Sequence, residues 1–169
     1  MVNPTSVHDI VAKFPTKILP PIPGDPDYDF ISKLNQLIYG NTATLPTTLG
    51  GGAHGHVGLI VKATLYVTLS PTVYVAPTEP PLMPIIPQTT TCAARQQLRD
   101  QYTEEQQIYT NHINMYDALN TQLIDAVEDP YVSELQNRYT RYMGVATCDL
   151  LYHLMDQYVN IMYADLKAN

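Results

Sequence analysis

Residues Thr91 to Glu128 read TCAARQQLRDQYTEEQQIYTNHINMYDALNTQLIDAVE, and neither Pro nor Gly interrupts them. At about 1.5 Å per residue, a helix over this stretch is roughly 55 Å long. A compact domain of this chain length has a radius of gyration of only about 15–16 Å. The helix must therefore span the whole molecule or break near Thr110-Asn111-His112, where helix propensity is weakest. On a helical wheel, Leu98, Tyr102, Tyr109, Ile113, Tyr116, Leu123 and Val127 lie within about 60° of Leu98. Ile108, Met115, Leu119 and Ala126 widen that stripe on one side, while Glu105, His112 and Asn120 interrupt it. A face wider than a coiled-coil seam points to core packing inside a helical domain.

The 169 residues suit one domain with a substantial core. Aromatic usage is skewed, with Tyr 13, Phe 2 and Trp 0; a buried Tyr needs a partner for its hydroxyl. The net charge is −7 and unevenly placed: four Lys/Arg against five Asp/Glu from Met1 to Thr91, then five against eleven from Cys92 onward. An acidic half without a basic cluster is a poor phosphate binder, which argues against direct RNA or DNA binding. Cys92 and Cys148 form no zinc or redox spacing and read as reduced thiols. The start MVNPTSVHDI has no signal-peptide profile, and no apolar run is long enough to cross a bilayer. The expectation is a soluble intracellular protein, cytoplasmic by default.

Upstream of the long stretch, Pro4, Pro15, Pro20, Pro21, Pro23, Gly24 and Pro26 predict an extended N-terminal arm over 1–25. Phe14, Ile18, Leu19 and Ile22 can pack it onto a neighbouring surface. A single helical domain over 26–169 comes next. Asp25 as cap and Pro26 in the first turn open a helix whose apolar face is Phe30, Leu34, Leu37 and Ile38, ended by Gly40-Asn41. The run VGLIVKATLYVTL, 57–69, is rich in β-branched residues and suggests a strand; the alternative is a short helix near Thr64 to Leu69. From Ser70 to Gln88 six prolines predict an extended segment laid along the helices. After Asp129-Pro130, Tyr131, Leu135 and Arg138 mark a short helix that Gly144 breaks. Thr147 is placed as the N-cap of a last helix, Cys148 to Val159, with Ile161 to Lys167 as a continuation. The fold class is thus mainly α: an irregular helical bundle around one long central helix, with extended Pro-rich arms and at most a short β element near 57–67.

Few residues offer chemistry. His54-Gly55-His56 places two imidazoles two residues apart, a spacing that shares one metal on a strand. No downstream His/Cys/Asp cluster supplies a third ligand, so a structural role, with the rings bonded to backbone, is favoured over a metal site. His112 with Glu105 and Asn120 can be read as a buried acid–base group or, more simply, as hydrogen-bonded polars at the core's rim. Cys148 near a helix start has a route to a lowered pKa but no base beside it. His153 reads as a helix-face residue. No nucleophile elbow, P-loop or dinucleotide fingerprint is present. The reading is a non-enzyme with no catalytic residues, no cofactor, no small-molecule substrate and no membrane.

One resemblance covers roughly 19–169. The block Leu49-Gly50-Gly51-Gly52-Ala53-His54-Gly55-His56-Val57-Gly58-Leu59-Ile60, then Tyr66 and a Pro-rich link, is similar to the N-terminal part of Gag-like proteins of copia-type retrotransposons. So are Asp117-Ala118-Leu119, Gln122 to Val127, Tyr131-Val132 and Leu135. Thr147, Leu150, Leu151, Tyr152, His153, Leu154 and Tyr158 resemble that family's closing helix. The resemblance implies a capsid-forming structural protein that self-associates as a homo-oligomer around the element's RNA. RNA contact would be indirect, or through a basic segment that this sequence does not contain. A host-domesticated Gag-derived interaction module fits the same residues. The family's Gly after Tyr158 is replaced by Val159, which implies that the last helix runs on.

Overall fold

Thr91 caps the long helix by accepting a hydrogen bond from the Ala94 amide at 3.3 Å, and no break interrupts the turns beyond it. The structure, a computed structural model, describes residues 6–22 and 24–159. Among these the helices are α1 (Val7–Lys13), α2 (Tyr28–Thr42), α3 (Ala63–Leu69), α4 (Cys92–Ala126), α5 (Asp129–Val132) and α6 (Thr147–Leu154). α6 runs into a π-helical turn, Met155–Val159. No sheet forms among the described residues; one isolated bridge joins Asn137 and Arg141. The molecule is an irregular α-helical bundle around α4.

The two halves of α4 live in different surroundings. From His112 onward, Met115, Ala118, Leu119, Leu123 and Ala126 are buried against α1, α2 and α6. Between Cys92 and Asn111 no residue is fully buried. The exposed half is tied internally instead, by side-chain bonds one turn apart: Gln96 to Asp100, Gln101 to Glu105, Gln106 to Tyr102 and Gln107 to Asn111. Such pairs contribute about 0.2–0.5 kcal/mol each. They carry the helix through Thr110-Asn111, where a break was the alternative.

The N-terminal arm departs from the extended form expected over 1–25. Ser6 and Asp9 make a reciprocal capping box that starts α1. Ile10, Phe14, Leu19 and Ile22 are buried in the common core, while Ile18 faces out. The Ile22 amide donates to the Ala126 carbonyl at 3.0 Å, fixing the arm to the end of α4. Asp27, not Asp25, caps α2 by accepting from the Phe30 amide. The buried face of α2 is Ile31, Leu34 and Ile38, and the helix runs past Gly40 to Thr42.

The run 57–69 is not a strand. Val57–Leu59 is a 3-10 turn and Ala63–Leu69 is α3, so the helical alternative holds. β-propensity measures fit to a half-buried pleat, and among the described residues no strand stands beside this run to offer one. Further on, helix α5 stops at Val132 and a 3-10 turn covers Ser133–Leu135, so the expected helix does not reach Arg138. Thr147 is the first residue of α6 rather than its cap; its hydroxyl donates to Asn120 Oδ1 at 2.6 Å. Bonded there, it is turned toward α4 and leaves its own helix end to Ala146. The continuation over Ile161 to Lys167 lies outside the described residues.

Candidate functional site

Two features stand out once the helices are placed: a polar hub built on the glycine–histidine block, and open apolar side chains on the Pro-rich segment that leads into α4.

The hub begins at Gly50. Its φ of 59° lies in the left-handed region, where a side chain is strained. A Cβ there would also run into the Tyr66 hydroxyl and lie 2.8 Å from Cε1 of its ring. The Gly50 carbonyl accepts from Tyr66 Oη at 3.1 Å and from Ser70 Oγ at 2.9 Å, so the middle and the C-terminal cap of α3 hang from one peptide. Gly51 sits against Thr72, and the Gly52 amide donates to the Leu49 carbonyl. A Cβ on Gly55 would stand 2.7 Å from the Thr42 carbonyl, the group that accepts from the His56 amide at 3.0 Å. The block therefore locks the end of α2 to α3 by close backbone approach.

The two histidines face different partners. His54 Nε2 lies 2.9 Å from the Leu69 carbonyl, where its N–H donates and closes the end of α3. His56 is fully buried, with Nδ1 at 3.2 Å from Tyr74 Oη. The same hydroxyl lies 3.1 Å from His112 Nδ1 on α4. Tyr74 packs face-on over Gly58, where a Cβ would enter its ring, and stands 5.4 Å from the Tyr66 ring centroid. Burial and the neighbouring His112 hold His56 down to about 4, and burial lowers His112 as well. Burial raises the Tyr74 phenol above its usual range. All three groups are neutral at pH 7. Among the described residues no group of three or more His, Cys, Asp or Glu is arranged to hold a metal.

The other residues singled out in the sequence scatter to separate tasks. Glu105 is exposed and accepts from Gln101, far from His112. Asn120 donates to the Val145 carbonyl at 2.8 Å and accepts from Thr147. The suggested His112–Glu105–Asn120 group does not assemble. Cys148 gains no activation, because burial and the adjacent Asp149 carboxylate raise its thiol pKa. Leu123, Leu151 and Leu154 are core. Tyr131 Oη donates to Asp25 at 2.8 Å, and its ring meets Tyr158 edge-on at 5.3 Å. An open, partly polar cleft beside α6 is bordered by Lys62, Asp149, His153 and Asp156, with Lys62 stacked over the Tyr152 ring at 4.3 Å.

Sequence reading missed three residues. Tyr74 looked like one apolar residue of a Pro-rich link. Asn41 looked like a helix stop and Gln122 like a neutral helix residue, yet both are buried. Asn41 Nδ2 donates to Gln122 Oε1 at 2.9 Å and to the Thr16 carbonyl, while Gln122 Nε2 reaches the carbonyls of Thr16 and Lys17. This network clamps the N-terminal arm between α2 and α4. The one available signal was Gln122 on the apolar side of the wheel.

The second feature is the set of open apolar side chains. The segment with the six prolines forms neither helix nor strand over 73–87, and it reaches the start of α4, where Arg95 Nη2 donates to the Gln88 carbonyl. Met83, Tyr102, Thr103 and Ile108 border a hollow between segment and helix. The segment's apolar residues are not covered by that contact: Leu82 is 92% and Ile85 98% exposed, and Val73, Val75 and Leu98 are also open.

The fold and these two features describe an irregular α-helical bundle: a long central helix with a polar hub packed beside its middle. Compared with protein-family models, curated proteins and solved structures, the chain matches none of them. Among the described residues no helix is long and apolar enough to cross a membrane.

Proposed function

We propose that this chain is a non-enzymatic assembly module of the Gag-like capsid type, which self-associates and packages retroelement RNA without itself gripping the phosphates. The observation that carries this reading is the set of open apolar side chains Val73, Val75, Leu82 and Ile85 on the Pro-rich segment and Leu98 on the exposed half of α4. Large apolar side chains left uncovered in such number suit an interaction face. The glycine–histidine block supports it as a resemblance, and the acidic charge of −7 agrees with indirect RNA contact. The hub's polar atoms are engaged in holding elements together, which is the work of a scaffold.

The test is light scattering and electron microscopy over a range of protein concentration and salt, with and without RNA. Assemblies are expected for the natural chain and monomers for the Leu82→Glu/Ile85→Glu/Leu98→Glu variant, with unchanged helical circular dichroism. A natural chain that stays monomeric under every condition ends this reading.

A further inference from the structure

We propose that His56, Tyr74 and His112 form an acid-labile latch that holds the Pro-rich segment against α4 at neutral pH and releases it on protonation. The protons of the trio can be counted. One tyrosine hydroxyl lies between two imidazole Nδ1 atoms, at 3.2 and 3.1 Å. It can donate to only one of them, so the other must carry its proton on Nδ1 and donate to the phenol oxygen. His56 Nε2 is buried and has no hydrogen-bond partner. A buried N–H without an acceptor costs more than a bare ring nitrogen, which places the His56 proton on Nδ1. The chain of donors then runs from His56 to Tyr74 to His112.

This arrangement has no room for another proton. A proton on His56 must go to Nε2 and becomes an unmatched buried donor. A proton on His112 must go to Nδ1, where it meets the phenol oxygen and leaves the Tyr74 hydroxyl without its acceptor. The two rings are 6.2 Å apart, so charging both adds repulsion in a buried site. The titratable groups facing the trio are its own members and Tyr66, with His54 edge-on beyond Tyr66 at 6.4 Å. Among the described residues, no carboxylate, Lys or Arg figures in the charges that act on the three groups; the one imidazole that does is His112, acting on His56. None of these neighbours is an anion that could neutralise an imidazolium.

What the latch holds is the segment after Pro71. None of residues 71–90 is fully buried, and Tyr74 bonds the segment to the hub on one side and to α4 on the other. The open form titrates as ordinary histidine, near pH 6.5. Each pH unit below that value raises the open population by up to about tenfold per histidine. The latch stands on this geometry alone; that it adjusts an assembly surface rests on the capsid reading.

Hydrogen–deuterium exchange of the full chain between pH 7 and pH 5, corrected for intrinsic rates, tests it. Exchange of the hydrogen-bonded amides over 56–61, which Tyr74 covers at Gly58, is expected to rise at least tenfold, with 115–126 unchanged. His112→Asn keeps an acceptor for the Tyr74 hydroxyl and does not titrate, so its rise is expected to be clearly smaller. Carbon-detected NMR of the natural chain follows both imidazoles without any substitution, and both are expected to remain neutral below pH 6. Ordinary titration of both rings near 6.5, equal exchange across α2 and α6, or a full rise in His112→Asn overturns the latch. Because none of these readouts measures assembly, failure of the capsid reading leaves the result intact.

Discussion

Gly50 and Gly40 show how differently one residue type is used within a single chain. Gly50 has a left-handed backbone and Tyr66 packed against the space a Cβ would fill, while Gly40 lies inside α2 with nothing within 4 Å. Gly50→Ala is expected to cost roughly 2–4 kcal/mol, from backbone strain plus overpacking. Gly40→Ala is expected to stabilise by about 0.5–1 kcal/mol through helix propensity. Chemical denaturation of the two variants checks both signs. Tyr74→Phe leaves two buried imidazole nitrogens without their shared partner, for an expected loss of about 1–3 kcal/mol. His56 contributes a pH term whose sign is set by its lowered value. Its neutral form is favoured by folding, so the contribution is complete above about pH 6.5 and is lost as pH falls toward about 4. Between pH 7 and 5 this is roughly 2 kcal/mol from that residue, read as a fall in urea midpoint that His56→Asn should flatten. Sequence alone favoured a structural role for the block and its histidines. It did not show their partners, because Tyr74 lies 18 residues beyond His56 and His112 another 38 beyond Tyr74.

At the scale of elements, α4 explains both what was readable and what was not. Its length and lack of breakers were plain in Thr91–Glu128. The direction of its core face was less so. The buried residues His112, Met115, Ala118, Leu119, Leu123 and Ala126 centre roughly 70° round from Leu98. That is the side that had seemed only to widen the stripe, while Leu98 and Ile113 stay open. A wheel weights all 35 residues of the helix equally, but only the second half has neighbours to pack against. The N-terminal arm makes the complementary point. Its prolines predicted an extended chain, yet Ser6 and Asp9 start a helix locally and Gln122 holds the residues just beyond that helix. Gln122→Leu strands the Lys17 carbonyl and one Asn41 N–H, while the Thr16 carbonyl keeps Asn41, a loss of about 1–3 kcal/mol. Limited proteolysis is expected to cut near 13–20 in that variant well before the rest of the chain, whereas equal resistance would mean the arm is held by its apolar residues alone.

The whole molecule is a helical body with half of a long strut left uncovered. Introducing charge on the open apolar side chains of the segment and of α4 should change assembly and leave folding nearly untouched. Exposed substitutions usually stay within about 0.5 kcal/mol each, so the three-glutamate variant should melt within a few degrees of the natural chain. A large fall in melting temperature would mean that Leu82, Ile85 and Leu98 support the fold rather than an interface. By itself the sequence determined the helical class, the central helix, the non-helical proline segment and the acidic balance, because each arises from local propensity, periodicity or a sum over residues. Only the tertiary structure decided that 57–69 turns and coils rather than pairing as a strand, since a strand needs a neighbour that no local pattern can supply. It alone brought His56, Tyr74 and His112 onto one hydroxyl, and moved Glu105 and Asn120 away from them. Which half of Thr91–Glu128 is core and which is surface was likewise settled by the bodies packed beside it, not by its own amphipathic stripe.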